Sequence, residues 1–224
     1  MGAPDFKGQI MKFPDDFIGK IIQGDCLEVM KQMPDKCVDL VLTDPPYNVG
    51  LDYCDGDKRT DYKSWCATWF EQLLRVSNCI LFTPGIVNLR AWETIEDFKH
   101  FYWIKPNQSS PSRLGGFSCV EPLLCVGKHK RIGQDFFIMN IGQQSDVGNH
   151  PCPKYLPAWE KIIKLFTEDS ALILDCFLGS GTTAVAAERL GRRWIGIEIE
   201  PKYCAIAQAR VDAERNQLKL PGML

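Results

Sequence analysis

At 224 residues, 45% of them hydrophobic, the chain suits one α/β domain, or one domain with a small elaboration, around a real core. No apolar run nears the roughly 20 residues that span a bilayer, and Met1 to Phe13 lacks a basic segment leading into an apolar one, so a soluble, cytoplasmic protein without a signal peptide is expected. A net charge of −2 excludes a uniformly basic nucleic-acid binder, but residues 99–134 carry Lys99, Lys105, Arg113, Lys128, Lys130 and Arg131 against Glu121 alone, a stretch that either meets phosphates or is a solvated loop.

Helix and strand signals alternate along the sequence, which predicts a layered α/β sheet. In chain order the patterns give a strand over 20–23, a helix over 26–32, a strand over 38–43 and a helix over 62–76 capped by Asp61. There follow a strand over 79–83, a helix over 88–98 capped by Asn88, and strands over 101–105 and 123–126. The last part reads as a helix over 157–166, a strand over 171–175, a helix over 183–190 closed by Gly191, a strand over 194–198 and a helix over 201–217. Residues 50–59, 107–118 and 129–149 read as loops ringing a ligand cleft, the last with an apolar insert at Phe136-Phe137-Ile138-Met139. Ten cysteines without a Cys-x-x-Cys pair predict reduced, mostly structural thiols rather than disulfides or a zinc site.

The most informative residues are Asp44-Pro45-Pro46-Tyr47, which end the apolar run Val38-Asp39-Leu40-Val41-Leu42-Thr43. Two prolines cannot donate ladder hydrogen bonds, so the strand must stop there. The stop leaves an acid and an aromatic at the carboxyl end of a strand, where open α/β sheets place their ligands. On these residues alone, Asp44 could also cap a turn and Tyr47 pack on the core.

The second motif runs from Leu172-Ile173-Leu174-Asp175 through Cys176-Phe177-Leu178-Gly179-Ser180-Gly181 into Thr182-Thr183 and an Ala-rich helix. Glycines permit close backbone approach to a ligand, and a helix N-terminus favours a negative group. A P-loop would need Lys where Thr182 stands, so that reading fails. The relaxed dinucleotide fingerprint is met by Gly179, Gly181 and Ala184, with Glu198 suited to ribose hydroxyls, but too little chain follows for the rest of a dinucleotide domain. S-adenosylmethionine needs only this half. Asp175 could alternatively be a strand-end cap, and Asp25 a cap of the helix that follows it.

Together these residues resemble the β-class of bacterial and phage DNA amino-methyltransferases over nearly the whole chain. Ile21 to Glu28 followed by Val38 to Asn48 is similar to that family's opening segment, and Trp103 to Asn107 and Glu121 to Lys128 to its middle strands. His150-Pro151-Cys152-Pro153-Lys154 resembles the motif preceding the Gly-rich loop, and Gly196-Ile197-Glu198 to Ala207 the ribose-binding strand and helix. The order, with Asp-Pro-Pro-Tyr ahead of the Gly-rich motif, is that of a circular permutation. The resemblance implies a circularly permuted Rossmann-like methyltransferase fold, with a single mostly parallel seven-stranded sheet and helices on both faces. It implies one domain over 1–224, with a catalytic half at 18–128, a short target-recognition loop at 129–149 and a cofactor half at 150–217.

The implied activity is methyl transfer from S-adenosylmethionine to N6 of adenine in DNA, since Asp rather than Ser opens the motif. Cytosine N4, an RNA or protein-glutamine acceptor, and a silent nucleic-acid-binding relative are the alternatives. Asp44 and the rigid Pro45 carbonyl would accept the amine N–H bonds and Tyr47 would stack on a base taken out of the duplex, with Pro46 the remaining residue of the catalytic motif. Cofactor contacts implied are Asp25, His150, Lys154, Asp175, Phe177, Gly179, Gly181, Thr182, Thr183 and Glu198; His150 could equally sit in a surface turn. No metal is implied. DNA is the implied partner, with homodimerisation and a cognate restriction nuclease left open. Leu178 and Tyr155 depart from the family pattern, a small residue and a proline respectively being usual there.

Overall fold

The computed structural model describes residues 10–50, 59–94, 96–109, 111, 115–129, 133–142 and 154–218. Its strands are β1 (Ile21–Gln23), β2 (Leu40–Thr43), β3 (Cys79–Phe82), β4 (Lys99–Ile104), β5 (Val120–Gly127), β6 (Phe136–Ile138), β7 (Leu172–Asp175) and β8 (Arg193–Glu198). Its α-helices are α1 (Cys26–Met30), α2 (Tyr62–Val76), α3 (Leu89–Trp92), α4 (Leu156–Phe166), α5 (Thr182–Arg189) and α6 (Pro201–Leu218).

The strands form one sheet in the order β1-β8-β7-β2-β3-β5-β4-β6. The run β1-β8-β7-β2-β3 is parallel, β5 is antiparallel to both its neighbours, and β6 returns parallel to β4. This is the mostly parallel sheet expected, with eight strands rather than seven. The addition is β6, read from sequence as an apolar insert in a loop. Three residues are too few to carry an alternation signal; the strand exists because Phe137 is buried and stacks on Trp103 of β4 at 6.1 Å.

Period-two alternation sorts the strand residues between two cores. Leu40, Leu42, Leu81 and Ile173 face α4, α5 and α6, whereas Val41, Ile80, Phe82, Leu174 and Ile195 face α1, α2 and α3. Central strands buried on both faces read as continuous apolar runs for this reason. The second core centres on interlocking rings: Trp92 lies 4.7 Å from Phe82 and 5.1 Å from Trp69.

Local corrections follow from tertiary demands. The helix expected over 88–98 shrinks to a 3-10 turn at Ile86–Asn88 plus α3, because Trp92 and Phe98 both enter the aromatic core and β4 begins at Lys99. Neither Asp61 nor Asn88 caps with its side chain; Asp61 pairs with Arg59 at 2.9 Å, and Asn88 is recruited by Tyr47. Lys105, counted among the phosphate-meeting cations, is instead buried against Glu121 at 2.6 Å. The eight cysteines within the described residues are free thiols; Cys54 and Cys152 lie outside them.

The turn from β7 into α5 depends on a close approach. Gly181 has φ +85°, and a Cβ there would lie 2.8 Å from the Cβ of Ala207 on α6. Gly181→Ala is therefore expected to lower stability by roughly 2–4 kcal/mol, from the left-handed backbone and the helix contact together. Chemical denaturation of the two proteins measures it, and equal midpoints would refute it.

Candidate active site

In the sheet order β1-β8-β7-β2 the parallel strands bring their carboxyl ends side by side, so the segments after them share one mouth. β2 and β7 are hydrogen-bonded neighbours, which puts Asp44, one residue past β2, beside Asp175, the last residue of β7. Thr43 ties the halves together, its hydroxyl donating to Asp175 Oδ1 at 2.6 Å.

The Asp-Pro-Pro-Tyr turn is held from several sides. Asp44 Oδ1 accepts from the Tyr47 and Thr83 hydroxyls and lies 2.9 Å from Lys154 Nζ. Among the described residues every polar contact of Asp44 falls on Oδ1. Lys154 Nζ is also 3.1 Å from the Tyr47 hydroxyl and 2.9 Å from Glu121 Oε1. The Pro46 carbonyl accepts from Tyr62 and the Tyr47 carbonyl from Asn88, both at 2.8 Å, while the Pro45 carbonyl accepts from no described residue. Behind Tyr47, Gly85 leaves room for the ring: a Cβ there would lie 2.9 Å from Tyr47 Cγ.

Charge in this pocket is balanced locally. Burial alone would raise the Glu121 carboxyl, but Lys154 and Lys105 hold it down to about 2. Burial alone would lower Lys154, yet Asp44, Glu121 and Tyr47 keep its ammonium well above the ordinary lysine range. The Tyr47 phenol is pushed up by burial and then by the Asp44 charge, so it stays a donor.

The Gly-rich half is polar at its floor. Asp175 is 4% exposed and accepts from Thr43, from Thr183 at 2.6 Å and from the Phe177 amide at 3.1 Å. Burial outweighs these bonds and pushes its carboxyl up to about 6. Trp159 of α4 donates to Thr183 at 3.0 Å and fixes that hydroxyl. Glu198 accepts from the amides of Gly179 at 2.7 Å and Glu200 at 2.8 Å, and burial raises its carboxyl too.

Asp25, Asp44, Pro45, Pro46, Tyr47, Lys154, Asp175, Phe177, Gly179, Thr182, Thr183 and Glu198 all line a single cavity of about 370 Å³. Gly181 stands behind it, shaping the turn, and His150 lies outside the described residues. Asp25 lines the cavity and also caps α1, accepting from Leu27 N at 2.7 Å. Of the three segments expected to ring the cleft, only Arg59 reaches it among the described residues. At the start of the 107–118 segment, Asn107 instead bonds both backbone groups of Ile141, just past the edge strand β6. The unusual Leu178 fills the space above Gly196, whose added Cβ would fall 2.5 Å from it, and Tyr155 stacks on Trp103 at 6.2 Å. Sequence reasoning missed Thr43, Thr83, Asn88, Glu121 and Trp159; only Glu121, the single acid in a basic stretch, left a visible signal.

The doubly covered, mostly parallel sheet, with the Gly-rich turn and the Asp-Pro-Pro-Tyr turn side by side at its strand ends, has the class I-like methyltransferase fold of its structural neighbours. The DNA methylase family model for N6 and N4 enzymes matches residues 103–209. The chain is 27% identical to the type II methyltransferase M.ScaI of Streptomyces caespitosus, covering 88% of this chain and 83% of that one. It is also 27% identical to M.BamHI of Bacillus amyloliquefaciens, covering 92% of this chain and 60% of that longer protein. Among solved structures, the M1.HpyAVI–SAM complex superposes with a TM-score of 0.66 at 25% identity, over 86% of this chain and 98% of that one. These likenesses support a DNA amino-methyltransferase.

Proposed function

We propose that this protein transfers a methyl group from S-adenosylmethionine to the N6 amine of adenine in DNA, with Asp44, Pro45 and Tyr47 acting on the amine and the β7–α5 turn holding the cofactor. The observation that carries the reading is the shared cavity, in which the Asp44 turn and the Asp175–Thr183 turn face one ligand space. Asp at the head of the motif favours adenine over cytosine.

The residues present suit this cofactor. Asp175 is a buried carboxylate with hydroxyl and amide donors but no cationic partner among the described residues, which fits the ammonium of a methionine moiety. Glu198 is fixed by two backbone amides yet keeps lone pairs for ribose hydroxyls. Asp25 and Phe177 line the cavity where a purine edge and face would be met. When bound, S-adenosylmethionine supplies an electrophilic methyl group on a sulfonium centre.

The chain's own task is to make a poor nucleophile available. The lone pair of an exocyclic amine is delocalised into its ring. Asp44, with Oδ1 saturated by three donors, offers Oδ2 to one amine N–H, and the Pro45 carbonyl can take the other. Accepting both draws the nitrogen towards a pyramidal geometry with its lone pair free. The Tyr47 ring offers a stacking surface worth roughly 1–3 kcal/mol, which offsets part of the cost of unstacking the base. No charge need be created for the attack, so catalysis rests on position and polarisation.

Incubation with tritium-labelled cofactor and unmethylated DNA, followed by nucleoside chromatography, tests the proposal. Label is expected in N6-methyladenine. Label in N4-methylcytosine would move the assignment to cytosine, and DNA without label would overturn it.

A further inference from the structure

Four charged side chains stand in alternating order behind the Asp-Pro-Pro-Tyr turn. Asp44 Oδ1 lies 2.9 Å from Lys154 Nζ, which lies 2.9 Å from Glu121 Oε1, and Glu121 Oε2 lies 2.6 Å from Lys105 Nζ. They come from four separate places: the end of β2, the approach to α4, the second residue of β5 and the residue after β4. The β4–β5 hairpin register sets Glu121 opposite Trp103, two residues before Lys105. Lys154 is seated over the rings of Tyr47 at 5.5 Å and Trp159 at 5.8 Å, and Lys105 over Trp103 at 5.1 Å. The Lys154, Glu121 and Lys105 side chains are all less than one-fifth exposed.

We propose that Glu121, backed by Lys105, is a positioning residue for methyl transfer that acts through Lys154 on the Asp44 carboxylate. This rests on the reading of Asp44 as the amine acceptor. Lys154 does two opposed things there. Its N–H donors fix Asp44 Oδ1, which determines that Oδ2 meets the amine. Its positive charge, however, sits one carboxylate away from a nitrogen that becomes more positive as it attacks the sulfonium methyl, and at short range in a water-poor pocket that repulsion is not screened. Glu121 cancels the charge while leaving the geometry, because it meets Lys154 Nζ at 2.9 Å through a contact separate from the one to Asp44. Lys105 in turn gives Glu121 a second cation, on Oε2, while Lys154 shares its charge between Glu121 Oε1 and Asp44. The set alternates in sign and sums to zero, the arrangement in which buried ions cost least. On this view Lys154, expected from sequence to touch the cofactor, belongs to the amine side of the cavity.

Glu121→Gln keeps the shape and one acceptor but removes the charge. It is expected to lower the single-turnover rate on DNA roughly tenfold to hundredfold, with the cofactor dissociation constant from calorimetry changed by less than about twofold. Lys105→Met is expected to shift the rate the same way but less, and Glu121→Asp to fall between wild type and Glu121→Gln. An unchanged rate in Glu121→Gln overturns the proposal, as does a rate loss matched by an equal loss of cofactor affinity. Folding is monitored separately by thermal melting. A second measurement needs no turnover: the buried Lys154 ammonium should give a slowly exchanging 15N resonance in the wild-type protein that is lost in Glu121→Gln, and its persistence at an unchanged shift overturns the proposal. Should wild type label no base in DNA, the functional reading fails by itself, and the resonance still decides whether Glu121 holds Lys154 in place.

Discussion

Asp44→Asn is expected to lower the methyl-transfer rate by roughly 10²- to 10³-fold while leaving cofactor affinity within a few-fold of wild type. The reason lies in how the carboxylate is held. Tyr47, Thr83 and Lys154 all donate to Oδ1, so an asparagine in the same place keeps its single oxygen there and turns its amide nitrogen to the target. A donor then faces the amine N–H where an acceptor was needed, and the amine stays planar. The change also strips Lys154 of one of its two carboxylates. The cofactor side is untouched, because Asp175 and Glu198 draw their donors from Thr43, Thr183 and backbone amides. Single-turnover kinetics with saturating DNA, set beside cofactor titration by calorimetry, separates the two effects. A variant that transfers methyl groups at the wild-type rate would remove Asp44 from the mechanism.

Asp175→Asn is expected to move stability and cofactor binding in different ways. Burial raises the Asp175 carboxyl from 3.8 to about 6 in the folded chain. A carboxyl raised by folding contributes stability that is full below its unfolded value and is lost as pH climbs through the folded one. Without cofactor the protein is therefore expected to lose of the order of 3 kcal/mol from this group between about pH 4 and pH 6. Asparagine cannot ionise, so the variant should lack this component of the pH dependence; denaturant melts of both proteins at pH 4, 5, 6 and 7 measure it. Glu198 is also raised by burial and slopes the same way, so the difference between the proteins, not the raw slope, is the observable. A cofactor ammonium would favour the ionised carboxylate and recover the lost stability, so binding to wild type should tighten as pH rises through about 6. In Asp175→Asn the dissociation constant should rise roughly tenfold to hundredfold and lose that pH dependence. Equal affinity in the two proteins would take Asp175 out of the cofactor site.

Much of the chemistry was legible in the one-dimensional order of residues. Two prolines after an apolar run end a strand whatever the rest of the chain does, and Gly179 and Gly181 between a strand and an Ala-rich helix mark a turn that needs backbone room. Those are local rules, and the two turns they place, the Asp44 turn and the β7–α5 turn, line one cavity. The central strands were legible for the same reason, being buried on both faces and so written as unbroken apolar runs.

What the tertiary structure decided was partnership. β6 is a strand only because β4 offers it an edge, and α3 stops early because the aromatic core claims both Trp92 and Phe98. Lys154 stands 107 residues from Tyr47 and 33 from Glu121, separations at which no periodicity links two side chains, and its place on Asp44 follows from the sheet order and from where α4 begins. Sequence by itself determined which groups were present and on which turns they stood, because backbone sterics act within a few residues. Which charge met which was left to the folded sheet, because burial and Coulomb attraction act through space.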